Sequence, residues 1–529
     1  AFARLTGWPA VITSLLLGAF SSVAFAPFHF SAVLVISFTC LIWMLDGARG
    51  HRKWGKAVFL RTWAFGAGFF LISMHWTAAP FLVEPEKHAI FLWMPLILLP
   101  GGMALIWGAF GAMAGAFWSS SPSRIFIFAL FFALAEYVRG HLFGGFPWNL
   151  PGTTWIPGGA LSQTASIGGV YWLTLVTVFI MSAPAALVDT RESRQLAVRI
   201  APVFAAVILL ALGWTWGAQR IAQPSAQSDQ FVVLMDSGVP QNEKWEIGPD
   251  PILIEYLRML STQEGEAGDI ILWPEGALPT TLLQDANALD AVGAYLGPRE
   301  LIAGTTRYEI TGKNTRDYYN SLTVIDENAI RSGPVALYDK HRLVPFGELP
   351  ATRIIPFGEA LSGILPGAIQ RMASDGFRPG PGPAVIYADD IPPFVAMICY
   401  EGLYPSIPRN ANLGARADWL VLISNDAWFG GGMGPAQHYA QNRYRSIETG
   451  LPMARVASRG ASAIVDGLGR EVLRAAPVAD APSGWSMSFG RGRLPLPESV
   501  TLFQTRIGMM LFWLSLFLFA GLAFLTWRR

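Results

Sequence analysis

Eight apolar runs stand out along the chain, at about residues 8–26, 31–46, 60–81, 89–117, 124–138, 164–187, 199–217 and 507–526. A helix needs about 20 apolar residues to cross a bilayer, because every backbone polar group there must be bonded within the segment. Each run is expected to be a transmembrane helix, with the short runs 31–46 and 124–138 leaving their boundaries or tilts open. The first run ends in Ala24-Phe25-Ala26, which mimics a signal-peptide cleavage site, and it is read as a retained first span.

Between the seventh and eighth runs the pattern changes to short Val- and Ile-rich strands alternating with amphipathic helices. Strands are expected at Phe231–Met235, Asp269–Trp273, Leu301–Gly304, Ser321–Ile325, Val335–Tyr338, Ala384–Tyr387, Phe394–Cys399 and Trp419–Ser424. Helices are expected at about 250–264, 285–297 and 434–449, and the Gly-Pro-rich segment 372–393 reads as a loop. Strands alternating with helices indicate a layered α/β fold. The expected organisation is seven helices within 1–220, a water-facing α/β domain at 228–495, and an eighth helix with a short tail at 505–529.

Composition supports the membrane reading. Only 14% of the 529 residues are charged against 52% hydrophobic, whereas soluble chains carry about 25% charged residues. Lys and Arg number 38 against 37 Asp and Glu, so no basic field exists to attract a nucleic-acid backbone, and nucleic-acid binding is excluded. Cytoplasmic loops carry the excess of Lys and Arg. Arg49, Arg52, Lys53, Lys56, Arg124, Arg191, Arg194, Arg199, Arg528 and Arg529 all fall on one side of the eight-helix arrangement. The opposite short loops hold only Lys87, offset by Glu84 and Glu86, and Arg139. Both termini are thus expected in the cytoplasm and the large domain outside, which in a bacterium is the periplasm.

Two cysteines, Cys40 and Cys399, are too few for a disulfide framework. Any sulfur chemistry rests on a lone thiol, and Cys40 lies in the second apolar run, where packing explains it. Three strand ends in the α/β domain deliver reactive groups: Glu275 after Trp273-Pro274, Lys340 in Tyr338-Asp339-Lys340-His341, and Cys399 before Tyr400-Glu401. A thiol reacts as thiolate, so a neighbouring base and cation activate it, and the same cation can hold the oxyanion of a tetrahedral intermediate. Taken singly, Cys399 reads as a small buried hydrophobe, Glu275 as a solvated turn residue and Lys340 as a surface charge. Glu136, in the fifth run, is a functional candidate as an intramembrane acid, or a structural partner of Arg139. Arg61 lies in the third run, able to snorkel. No His pair has metal-ligand spacing, so neither metal nor other cofactor is expected.

The combination of Glu275, Lys340 and Cys399, with Asn442–Pro452, Ser458-Arg459-Gly460 and Asp466–Gly469 beyond it, resembles the nitrilase, or carbon-nitrogen hydrolase, superfamily. Leu343–Glu348 (LVPFGE), Cys399–Glu401 (CYE), Ser424–Gly430 (SNDAWFG) and Phe146-Pro147-Trp148, set among eight spans, narrow the resemblance to the bacterial apolipoprotein N-acyltransferase family. That resemblance implies an eight-helix membrane domain carrying an α-β-β-α nitrilase-like sandwich. It implies transfer of a fatty acyl chain from a phospholipid donor to the α-amine of a diacylglyceryl apolipoprotein acceptor at the bilayer. By the same resemblance Cys399 is the nucleophile, Glu275 the general base and Lys340 the oxyanion partner. Glu348, Tyr400 and Glu401 match supporting positions, Trp245 a mobile-loop aromatic, and Phe146 and Trp148 an outer loop. Trp428 is a candidate for an acyl pocket or for an interfacial aromatic belt. A membrane-tethered amidase or nitrilase that gives its acyl group to water shares the triad, and a transporter with an outer sensing domain would need more intramembrane charge.

Overall fold

The computed structural model describes residues 2–119, 121–188, 196–262, 268–312, 315–328, 332–345, 347–349 and 376–527. Arg191, Arg194, Phe346, Arg528, Arg529 and the start of the 372–393 segment lie outside the described residues. The chain divides into two compact units. One comprises 1–223, 429–444 and 501–529, and the other 224–428 and 445–500.

The first unit is helical, and each of the eight apolar runs becomes a helix. They are Gly7–Ser21, Val33–Arg49, Trp54–Ser73, Leu99–Ala116, Ser123–Arg139, Ala165–Ser182, Leu196–Ile221 and Arg506–Trp527. Among the described residues six helical stretches are long and apolar enough to cross a membrane. Val33–Arg49 and Ser123–Arg139, of 17 residues each, reach only about 25 Å, short of the roughly 30 Å hydrocarbon core. These are the two runs whose shortness the pattern already exposed. Large apolar side chains such as Trp8, Ile12, Leu16, Phe204 and Leu212 point outward, as lipid-facing residues do.

Small residues let the helices approach closely, as membrane bundles require. A Cβ on Gly18 would lie 1.8 Å from the Phe65 carbonyl oxygen, and one on Gly68 would lie 1.9 Å from that of Leu15. The helices Gly7–Ser21 and Trp54–Ser73 therefore touch backbone to backbone. Glu136 is fully buried and takes the structural reading: Arg139 Nε donates to Oε1 at 2.8 Å and Trp107 Nε1 to the same oxygen at 2.7 Å. Arg61 does not snorkel. It is buried and donates to the carbonyls of Met44 and Leu5, where the preceding segment brings backbone acceptors within its reach.

The second unit contains two β-sheets. Its strands are β1 (Gln227–Asp236), β2 (Ile270–Leu272), β3 (Glu300–Ile310), β4 (Arg316–Ile325), β5 (Ala336–Asp339), β6 (Val385–Ala388), β7 (Ile391–Ile398), β8 (Trp419–Asn425), β9 (Met453–Ser458), β10 (Ala463–Val465), β11 (Glu471–Arg474), β12 (Ala476–Pro477) and β13 (Ser488–Pro495). One sheet runs β12-β13-β1-β2-β3-β4-β5 and the other β11-β10-β9-β8-β7-β6. Parallel pairs β1/β2, β2/β3, β7/β8 and β8/β9 occupy the centres, with antiparallel strands outside them. All eight strands expected from the pattern are present. The segment 372–393 is corrected from a loop, since it contains β6 and the start of β7, an antiparallel hairpin turning at Asp389-Asp390.

Period-two side-chain alternation separates the faces. Val233 and Met235 of β1 join Ile271, Trp273 and Leu301 beneath the helices Pro249–Thr262 and Ala286–Leu296, which supply Ile252, Tyr256, Met259, Val292 and Leu296. Val232 and Leu234, equally buried, point to the opposite face. There the second sheet lies close: Ile423 Cδ1 of β8 would meet a Gly304 Cβ of β3 at 2.9 Å. The result is the layered nitrilase-like α/β sandwich.

Candidate functional site

The three reactive residues leave the ends of β2, β5 and β7. Strand β2 stops because Pro274 has no N–H to continue a ladder. Trp273, stacked on Tyr256 at 4.3 Å, anchors the turn from which Glu275 projects. A Cβ on Gly304 would sit 2.5 Å from Glu275 Cα, so the neighbouring strand needs glycine to admit this turn. Lys340 follows β5, its N–H donating to the Asn320 carbonyl at 2.8 Å while its own carbonyl accepts from Gly380 N at 2.9 Å. Cys399 follows β7 with φ of 50°, in the left-handed region. That conformation costs about 1–3 kcal/mol and persists only where the surroundings enforce it. It ends the strand abruptly and starts the short turn Cys399–Leu403.

The polar groups form a closed ring. Lys340 Nζ donates to Glu275 Oε1 at 3.1 Å and to Glu348 Oε1 at 2.9 Å. Asn320 Nδ2 donates to the same two oxygens, at 2.7 and 2.8 Å. The remaining oxygens take backbone donors: Asn425 N to Glu275 Oε2 and Val344 N to Glu348 Oε2, both at 2.9 Å. Lys340 is 1% exposed and Glu275 8%, so these charges meet with little water to screen them.

Burial alone would disfavour the Lys340 ammonium, but Glu275 and Glu348 outweigh it and its pKa lies above the ordinary lysine range. Burial pushes the Cys399 thiol above the ordinary cysteine range. Glu275 adds to that shift and Lys340 opposes it. The thiol therefore rests protonated, beside a carboxylate and within the field of a cation.

Cys399 also has Ser424 as a hydrogen-bond partner. Ser424 Oγ donates to Asp426 Oδ1 at 2.7 Å, and Asp426 Oδ2 accepts from Arg455 at 2.7 Å, with both charged side chains wholly buried. Glu401 accepts four bonds, from Tyr338 OH, His341 N, Arg342 N and Ile398 N, at 2.9–3.0 Å. Its carboxylate clamps the end of β7 to the residues after β5. Tyr400 is buried edge-on to Tyr404.

Glu275, Lys340, Cys399, Glu348, Tyr400 and Glu401 are thus gathered around one set of strand ends. Trp245 is 70% exposed, on the short helix Lys244–Ile247, and Trp428 is partly exposed after β8. Phe146 and Trp148 belong to the helical unit. Trp148 is enclosed there, its ring tilted against Trp76 at 4.4 Å and its Nε1 donating to Gln437 at 2.7 Å.

Asn320, Asn425, Lys244 and Arg455 were not singled out in the sequence. Asn320 carried a signal, as a lone amide in the apolar half of a strand demands a partner. Lys244 is buried and donates to the Gly276 carbonyl, next to Glu275. Burial brings its pKa down to about 8 against the pull of Asp236 and Glu275.

The chain is similar to known proteins over most of its length. Residues 17–183 match the family described as "Apolipoprotein N-acyltransferase N-terminal domain", and 262–479 match "Carbon-nitrogen hydrolase". The chain is 35% identical over 477 residues to an apolipoprotein N-acyltransferase of Caulobacter vibrioides, covering 88% of this chain and 86% of that one. It is 32% identical over 481 residues to one of Rhodopseudomonas palustris, covering 88% and 87%. Among solved structures, a nitrilase-superfamily amidase of Nesterenkonia aligns with TM-score 0.33 and 16% identity, over 55% of this chain and 98% of that one.

Proposed function

This chain belongs to the apolipoprotein N-acyltransferase family, and from that premise we propose that it moves a fatty acyl chain from a phospholipid to the free α-amine of a diacylglyceryl-cysteine apolipoprotein. Glu275 takes the thiol proton as Cys399 sulfur attacks the acyl ester carbonyl, and the Lys340 ammonium balances the oxyanion that forms. Collapse of that intermediate releases the glycerol oxygen, to which Glu275 returns the proton, leaving a thioester on Cys399 and a lysophospholipid. In the second half the lipoprotein amine attacks the thioester, Glu275 accepts its proton, and that proton passes to the departing sulfur, restoring the Cys399 thiol as the amide forms. One nucleophile serves two acyl acceptors in turn, which makes the cycle ping-pong.

The observation that carries this reading is the Glu275–Lys340–Glu348–Asn320 ring set beside a buried thiol at a strained strand end. The family match gives the ring its substrates. The proposal includes eight spans within 1–220 and 505–529, a catalytic domain at 228–495 on the periplasmic face of a bacterial inner membrane, and both termini in the cytoplasm. Trp245, Trp428, Phe146 and Trp148 are its proposed lipid- or substrate-contacting residues, and Glu348, Tyr400 and Glu401 its supporting ones.

Intact-protein mass spectrometry after incubation with phospholipid alone tests the reading. A fatty-acyl mass on Cys399, discharged by a diacylglyceryl-cysteinyl peptide, is the expected result. Rapid loss of that mass to water without acceptor would instead identify a hydrolase.

A further inference from the structure

We infer that Asn320 is a positioning residue that decides which oxygen of Glu275 acts as the base, and that it does so by closing the ring between the two carboxylates. This rests on the role proposed for Glu275. The assignment begins with an inventory of donors. Glu275 Oε1 already accepts from Lys340 and Asn320, whereas among the described residues Oε2 accepts only the N–H of Asn425. A carboxylate oxygen has two lone pairs in its plane, so Oε1 is filled and Oε2 keeps one place for a proton. The thiol proton therefore goes to Oε2.

Asn320 is fixed for this task from both sides. Its strand pairs with β3, where it lies opposite Thr306, and its carbonyl accepts the Lys340 N–H at 2.8 Å. Its amide orientation is set chemically, since two carboxylate oxygens can only be faced by the NH₂. One residue thus holds the cation through its backbone and both acids through its side chain.

Without that amide, two carboxylates share one ammonium at close range, and like charges in a dry site retain a proton between them. The charged groups bearing on Glu275 are Lys340, Glu348, Lys244 and the Cys399 thiol, with Asp236 acting through Lys244 and Asp426 through the thiol. None of the others is a neutral donor to both acids.

The test is the pH profile of acyl-enzyme formation in single turnover, on the full-length detergent-solubilised chain with a phospholipid carrying a tagged acyl group. Asn320→Ala should lose about 10–100-fold at neutral pH, the scale of one hydrogen bond to a charged group. Its acid limb should move upward by about one pH unit, so that much of the lost rate returns in alkali. Asn320→Asp, which adds a third acid, should move the limb further in the same direction. Thermal unfolding of both variants confirms that folded protein is compared. Capture of Cys399 by iodoacetamide, which needs no lipid, should show the same displacement of its acid limb. It tests Asn320 even if unaltered protein takes no acyl group, the result that would sink the function reading instead. A uniform rate loss at every pH, with the limb unmoved in both assays, would reduce Asn320 to scaffolding and overturn the proposal.

Discussion

The backbone N–H of Asn425 donates to Oε2 of Glu275 at 2.9 Å, across 150 residues of sequence. Asn425 ends β8 in the six-stranded sheet, and Glu275 follows β2 in the seven-stranded one. The carboxylate proposed as the base is therefore held by both sheets at once. The next residue, Asp426, is locked to Arg455, so the turn that holds Glu275 is itself held by a buried ion pair.

Cys399→Ala should abolish acyl-enzyme formation while the protein still folds, because alanine fits the space and leaves no nucleophile. Cys399→Ser should be nearly as inactive, since a hydroxyl is far less acidic than a thiol. Mass spectrometry after phospholipid exposure, with a melting curve on the same sample, checks both. Normal turnover in the alanine variant would remove the covalent mechanism.

Lys340→Met should slow acyl-enzyme formation by about 10²–10³-fold, the typical cost of removing one oxyanion donor, and Glu275→Gln by about 10²–10⁴-fold, the range for losing a general base. Single-turnover labelling measures it. Unchanged labelling in Lys340→Met would transfer the oxyanion role to backbone donors.

The pH behaviour of the thiol follows from its raised pKa. A thiol held above the usual range has less thiolate at any given pH than free cysteine. In a Cys40→Ala background, alkylation of Cys399 at pH 8 should be slower than that of a cysteine peptide. It should still be climbing at pH 10, where the peptide has levelled off. Lys340 lowers the thiol's pKa and burial and Glu275 raise it, so Lys340→Met should push the rise still higher. Alkylation at pH 8 faster than that of the peptide would show a preformed thiolate and contradict the geometry.

Arg455→Met and Glu136→Leu each break a wholly buried pair and leave a charge without its partner, Asp426 in one case and Arg139 in the other. Such losses cost about 3–5 kcal/mol. Thermal or denaturant unfolding should show it, and a melting point within a degree of the parent would mean that water reaches these sites.

Gly304→Ala brings a methyl group to 2.5 Å from Glu275 Cα and 2.6 Å from the Pro274 carbonyl oxygen. Backbone on both sides cannot yield cheaply, so the turn bearing the base must shift. Activity should fall more than stability, a split read by comparing single-turnover rate with melting temperature.

The amino-acid pattern revealed the strands that carry the site because each is a short apolar run ended by proline, charge or glycine. It singled out Glu275, Lys340 and Cys399 because a carboxylate, an ammonium and a thiol sit at those ends. The strands β9 to β13 were missed, being short or interrupted by charge, as in Met453–Ser458, Glu471–Arg474 and Ser488–Pro495. Asn320 and Asn425 escaped for another reason. Their importance lies in pairing with residues 28 to 150 positions away, which no local period encodes. Arg61 was misjudged because its acceptors, two backbone carbonyls, exist only once the helices have assembled.

Glu275 and Lys340 ride on one sheet and Cys399 on the other, with Gly304 and Ile423 meeting where the sheets face. The spacing between Cys399 and Glu275, the proposed nucleophile and base, is consequently a measure of how the two layers are seated. The facing layer acts as the gauge block of the reaction. A change there, such as trimming Ile423, would reset the reach of the thiol without touching any reacting atom. Random variation in this enzyme should therefore lose turnover at buried apolar positions between the sheets as well as at the charges of the ring.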